Sequence, residues 1–197
     1  MKIYTFLIAI TLYSVNSNGA PNLFGGLKIP KENINSSTFI SDDDVYDDST
    51  GSESILLRKK DLVNYGLSYD LADDEEFVSL MLYIEVMDIT KISKSLKSDL
   101  NANYSAKKDK YTNETRLYNT KEHWLLQDKK GNLIASCYIG SSIVNEEIKD
   151  ADICNFISNI KGFGVEYSLT NENIGKYKYF EKYLADKIDS WKGVSKN

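Results

Sequence analysis

The side chains with reactive potential are few. His123 is the one histidine of the chain, Cys137 and Cys154 are its two thiols, and carboxylates cluster at Asp73–Glu76, at Glu146–Glu147 and around Tyr46. A Ser-His-Asp or Cys-His hydrolase would have to use His123 as its base, but no G-x-S-x-G elbow accompanies it. His123 beside Trp124 reads more simply as a strand surface residue, and it is the catalytic candidate only if the chain is an enzyme. The carboxylate runs are adjacent in sequence, so they do not face one another on a helix as a glycosidase pair must, and helix-start charge explains them. GGLKIPK and KKGN lack the Gly-Lys-Ser/Thr order that cradles phosphate. No zinc set forms, because His123 has no partner at ligand spacing. The residues therefore imply no cofactor and no metal.

The first segment assigns a compartment. Lys2 is followed by an apolar run, Ile3 to Tyr13, too short to span a bilayer, and then by small residues. This is the pattern of a signal peptide over residues 1–19, cleaved after Ser17 or Gly19. The expected product is secreted, extracellular and soluble, without a membrane span. In an oxidising compartment Cys137 and Cys154 are expected to pair as a disulfide. Such a bridge closes a loop of under about 20 residues and contributes roughly 3 kcal/mol by the chain-entropy argument. The same route makes acceptors of three glycosylation sequons, at Asn35, Asn103 and Asn113.

The stretch SDDDVYDDSTGSES sets Tyr46 among five aspartates. As a calcium loop it fails, because no alternating ligands lead to a turn glycine and no glutamate closes the twelfth position. It reads as part of an acidic, self-repelling tail over residues 20–53, with Tyr46 a candidate for tyrosine sulfation.

Net charge is −5 with a pI near 5.0, which disfavours nucleic acid and anionic membranes as partners. The folded domain is expected over 54–193, followed by a polar end at 194–197. Within it Ser54 is placed to cap a short helix through Tyr65, stopped by Gly66. Leu82, Val86, Ile89, Ile92 and Leu96 recur at three and four, predicting a helix over about 74–100, although the β-branched run YIEVMDIT allows a strand with a shorter helix after it. Asp128-Lys-Lys-Gly-Asn joins two apolar runs as a hairpin over about 122–140, with Leu133, Ala135, Cys137 and Ile139 on one face. Ile148, Ile153, Phe156, Ile157 and Ile160 suggest a helix over about 145–161, with Cys154 at its edge and Gly162 and Gly164 ending it. A strand over about 165–170 and a helix over about 173–192, carrying Tyr177, Phe180, Leu184, Ile188 and Trp191, complete the domain.

The expectation is an α+β domain, a small antiparallel sheet packed by helices. Functionally, the leading expectation is a non-enzymatic interaction protein, effector or ligand-like, that contacts another extracellular protein. A secreted carrier of an apolar small molecule is the alternative, and a hydrolase with a non-standard site is the third.

Overall fold

Pairing across the chain, more than local periodicity, sets the architecture. The structure, a computed structural model, describes residues 22–35, 51–69, 77–98, 105–118, 120, 122–144 and 147–193. Among the described residues there are ten strands: β1 (Asn22–Phe24), β2 (Leu27–Ile29), β3 (Ser52–Arg58), β4 (Phe77–Tyr83), β5 (Ser105–Lys108), β6 (Thr115–Tyr118), β7 (His123–Gln127), β8 (Leu133–Val144), β9 (Glu147–Ile160) and β10 (Phe163–Thr170). Three α-helices accompany them, α1 (Lys59–Asn64), α2 (Ile89–Ser98) and α3 (Tyr177–Trp191). β3 to β10 form one eight-stranded sheet in the order β3-β4-β10-β9-β8-β7-β6-β5, with every recorded pairing antiparallel. The fold is thus dominated by its sheet, and the expected small sheet packed by helices is incorrect.

One of the expected helices is a strand, and another is part strand. Within 145–161, Glu147–Ile160 is β9, paired with β8 at one end and β10 at the other and with both over Ile153–Phe156, where Phe156 stands opposite Ala135 of β8 and Tyr167 of β10. Its isoleucines fit a helical stripe only loosely, and their branched side chains favour a pleated surface with neighbours on both edges. The segment 74–100 is divided between a strand and a helix. Phe77–Tyr83 becomes β4, with Leu80 and Leu82 buried between β3 and β10, and only Ile89–Ser98 is helical. The strand ends at Tyr83, where the sequence alternative began. Asn159 holds the connection to α2, accepting the Met87 N–H at 2.7 Å and donating to the Met87 carbonyl at 2.8 Å. The expected helix from Ser54 is β3 through Arg58 and helix only over Lys59–Asn64, closed by Gly66 at φ +87°. The hairpin of β7 and β8 turns at Asp128–Asn132, with Gly131 at φ +81°.

Residues 22–35, read from the sequence as tail, contribute to the core. Phe24, Leu27 and Ile29 are buried in the cluster that also takes Ile55, Leu57, Leu80, Leu82, Val165 and Tyr167 from the sheet and Phe180, Leu184 and Ile188 from α3. Helix α3 closes this face as its aromatic stripe predicts. On the other face α2 sets Ile92 and Leu96 against Leu117, Leu125 and Leu133. Leu133 reaches that face through a bulge. Leu126 pairs with Ala135 but Gln127 with Leu133, so Ile134 is unmatched and the alternation breaks there. The expected single face of Leu133, Ala135, Cys137 and Ile139 therefore divides, and Ile139 is 43% exposed.

Cys137 and Cys154 form a disulfide between directly opposed positions of β8 and β9. It is a cross-strand bridge, not the strand-to-helix bridge expected. The two cysteines are 17 positions apart, so the chain-entropy argument again gives roughly 3 kcal/mol. Reduction is expected to lower the unfolding free energy by up to that amount, seen as a lower urea midpoint, while leaving the sheet folded, checked by paired unfolding curves with and without reductant. Unchanged curves would show the bridge to be energetically idle.

The core also fixes a pH response. Burial raises the phenol pKa values of Tyr69, Tyr167, Tyr177 and Tyr183 above the usual 10.0, that of Tyr69 to about 12. Glu181 adds to the effect at Tyr167, Glu114 at Tyr177 and Asp61 at Tyr183. The unfolded chain releases these protons first, so their contribution is fully present below pH 10.0 and declines above it, that of Tyr69 being lost as the pH rises through about 12. Urea midpoints are expected to fall above pH 10.0, with the phenolate absorbance of these four tyrosines appearing together with unfolding. Phenolate absorbance that reached completion near pH 10 in the folded protein would contradict this.

Candidate functional site

β6 reads TRLY, and its alternation sends Arg116 and Tyr118 to one face while Leu117 faces α2. Arg116 is 5% exposed. Its Nε donates to Asp109 Oδ1 and its Nη2 to Asp152 Oδ2 at 3.2 Å, and the guanidinium carbon lies 4.4 Å from the Trp124 ring centroid. Lys110 Nζ reaches the same Asp152 oxygen at 3.1 Å. The second oxygen of Asp109 accepts the backbone N–H groups of Tyr111 and Thr112 at 2.7 and 2.6 Å. Buried charge is stable only when it is paired and hydrogen-bonded, and here both conditions are met. The network therefore pins the loop between β5 and β6 to the sheet.

That loop is one wall of a cleft of about 890 Å³. Lys108, Lys110 and Asn113 stand on this wall, Lys129 and Lys130 come from the β7–β8 turn, and Lys178 from the start of α3. Gly175 permits the close approach of the two walls, since a Cβ there would sit 2.4 Å from the Tyr111 carbonyl oxygen. The Tyr177 hydroxyl donates to Glu114 Oε1 at 3.3 Å across the cleft floor. Asp128 organises the opposite turn, accepting from Asn132 Nδ2 at 2.9 Å and from the N–H groups of Lys130 and Asn132 at 2.8 Å each. The Asn132 side-chain bond, with the backbone bonds and the Lys130 charge, lowers the Asp128 pKa below its usual value. Of the three acids on the cleft, Asp109 is paired with Arg116, Glu114 accepts from Tyr177 and Asp128 is held by its own turn. The five lysines, all exposed, present the surplus charge. The geometry suits recognition of anions.

A second cleft, about 930 Å³, lies beneath α2 and shares Tyr177 as a wall. Ile89, Leu133, Ile134, Ile157 and Ile160 give it apolar patches, with Ser93, Lys94, Lys97, Asn159 and Glu181 around them. Lys97 Nζ donates to the Gly131 carbonyl at 2.5 Å, fastening α2 to the β7–β8 turn.

Of the candidate site residues singled out in the sequence that the structure describes, only Asn113 lines either cleft. His123 is exposed at the start of β7, stacked on Tyr138 with ring centroids 6.2 Å apart. Both thiols are consumed in the disulfide. Asn35 is half-buried, its N–H donating to the Ser54 carbonyl at 3.0 Å beside the Ile34–Ile55 bridge. Asn113 is exposed on the rim of the lysine-lined cleft. Asn103, Tyr46 and the segment 1–19 lie outside the described residues. Sequence reasoning missed Arg116 and the converging lysines. The doublets Lys107-Lys108 and Lys129-Lys130 were the visible signal, but each reads locally as solvated strand or turn.

No family model matches the chain, and no curated protein matches it. Among solved structures, Smlt3025, an immunity protein of the Stenotrophomonas maltophilia type IV secretion system, is similar with a TM-score of 0.49 and 8% identity, covering 84% of this chain and 88% of that one. A likeness at that level leaves function to be read from the chain's own residues.

Proposed function

We propose that this chain is a secreted, non-enzymatic interaction protein that acts by surface contact with another extracellular protein. The observation that carries the reading is the lysine-lined cleft. In a chain of net charge −5, five ammonium groups from three separate segments converge on one end of the sheet. Their walls are held by the Arg116 network and by the close approach at Gly175. Charge arranged in this way serves encounter and specificity. The disulfide supports an oxidising compartment, and among the described residues no helix is long and apolar enough to cross a membrane. The leader over 1–19, a secreted product starting near residue 20, glycans on Asn35, Asn103 and Asn113, and sulfation of Tyr46 belong to the same reading. A glycan on Asn113 would stand on the cleft rim and regulate access to it.

The test is affinity capture from extracellular fluid with the mature protein and with a Lys129→Glu, Lys130→Glu, Lys178→Glu variant. A captured protein that the wild type retains and the folded variant loses supports the reading. Equal retention by both, or retention insensitive to salt, overturns it.

The cleft beneath α2 favours a second reading, a carrier of an apolar small molecule. A ligand carried through purification and displaced on unfolding, seen by native mass spectrometry, would favour that reading over the first.

A further inference from the structure

We infer that the lysine-lined end of the sheet receives an extended, acidic segment of a partner protein, added as a strand along β5. This rests on the interaction reading above and specifies the chemistry of the partner. The two edges of the sheet differ. At the β3 edge the chain covers itself through the Ile34–Ile55 bridge and the Asn35 N–H bonded to the Ser54 carbonyl. At the other edge β5 pairs with β6 from Ser105 opposite Tyr118 to Lys108 opposite Thr115, and among the described residues no strand pairs its outer side. All four β5 residues are exposed. Such an edge offers a row of backbone donors and acceptors that an extended peptide can complete.

The side chains select the occupant. A second copy of β5 laid antiparallel would bring Lys107 and Lys108 close to their own counterparts, and like charges across a ladder are destabilising. Acidic residues in the same places are attracted instead. Lys107 shares a face with Tyr118, its Nζ 5.8 Å from that ring centroid, while the next residue, Lys108, lies on the cleft. Carboxylates on both faces of an added strand therefore meet a lysine. Where β5 ends, Lys110, Lys129, Lys130 and Lys178 continue the positive surface into the cleft. Backbone pairing supplies affinity here, and the lysines set direction and exclude neutral or basic segments.

The test uses the unglycosylated mature chain and fluorescent peptides of about ten residues, near the usual upper length of a strand. One alternates Glu and Thr, one alternates Lys and Thr, and one keeps the Glu content but carries prolines that cannot enter a ladder. The Glu-Thr peptide is expected to bind at least about ten-fold more tightly than either control, because only it offers both charge and backbone donors. Its binding should weaken as salt rises, fall in a Lys107→Glu, Lys108→Glu variant, and slow amide exchange in β5. Equal binding of the proline-containing peptide, with β5 exchange unchanged, overturns strand addition while leaving the charged interaction surface standing. Binding of heparin but of no peptide overturns the inference in favour of a polysaccharide. Failure of every anionic probe, together with capture insensitive to Lys129, Lys130 and Lys178, would remove both readings.

Discussion

Arg116→Met is expected to lower stability by about 3–5 kcal/mol, the cost of leaving buried charge without its partner. Met keeps an unbranched apolar stem but no guanidinium, so the contact on the Trp124 ring is lost together with the bonds to Asp109 and Asp152. Asp109 is 4% exposed and would face its buried site with only the Tyr111 and Thr112 N–H groups. Asp152 would retain Lys110. The double variant Arg116→Met, Asp109→Asn should recover part of the loss, because it removes the stranded charge together with its partner. Urea midpoints of the two single variants and the double variant measure the coupling. A change below about 1 kcal/mol for Arg116→Met would place the network among exposed ion pairs of little worth. The β5–β6 loop also loses its anchor, so amide exchange at Tyr111 and Thr112 should accelerate beyond the global change.

Phe156→Ala is expected to cost about 3–5 kcal/mol, as for other large aromatics removed from a packed core. Phe156 is 0% exposed and stands in a row of rings. Tyr177 lies 5.4 Å and Tyr167 5.2 Å from it, and Phe180 lies 4.5 Å from Tyr167. Each pair contributes roughly 0.5–1.5 kcal/mol beyond buried area. The row joins β9, β10 and α3, and its end at Tyr177 is a wall of both clefts. Loss of the ring should therefore weaken stability and anion binding together, while Phe156→Leu, which refills most of the volume, should cost less on both counts. Chemical denaturation and binding of the Glu-Thr peptide report the two effects separately. Full stability in Phe156→Ala would mean that the core collapses around the gap, contrary to the rigid stack.

Legibility in the sequence tracks the distance over which each feature is decided. The turn from Asp128 to Asn132 is closed by bonds among its own five residues, and α3 declares itself by side chains spaced three and four apart. The Cys137–Cys154 pairing was an expectation open to a chain with two thiols, but its placement between opposed strands was not. The misread segments share one property. In β4 and β9 the apolar spacing tolerates either period, and the choice belongs to strands far away in the chain: Leu80 faces Tyr167, and Phe156 faces Ala135 and Tyr167. Pairing on both sides over Leu80–Tyr83 and over Ile153–Phe156, with one-sided pairing along the rest, satisfies most of the backbone of these strands, and an isolated helical tendency cannot compete with that burial.

The candidate site follows the same rule. Arg116 and Asp109 are seven residues apart and look in the sequence like ordinary surface charges, while Asp152 arrives only because β9 crosses the sheet. The lysines of 108–110, 129–130 and 178 are three unremarkable basic spots until the β5–β6 loop, the β7–β8 turn and the start of α3 meet at one end. By itself, then, the sequence determined charge balance, the turn at Gly131, the final helix and the presence of two thiols, because these depend on composition or on neighbours within a few positions. Only the tertiary structure decided that the protein is an eight-stranded sheet, that Arg116 is buried, and that cations concentrate at the β5 edge. Those outcomes depend on which distant segments become neighbours, and that choice is made by the burial and hydrogen bonding of the whole chain together.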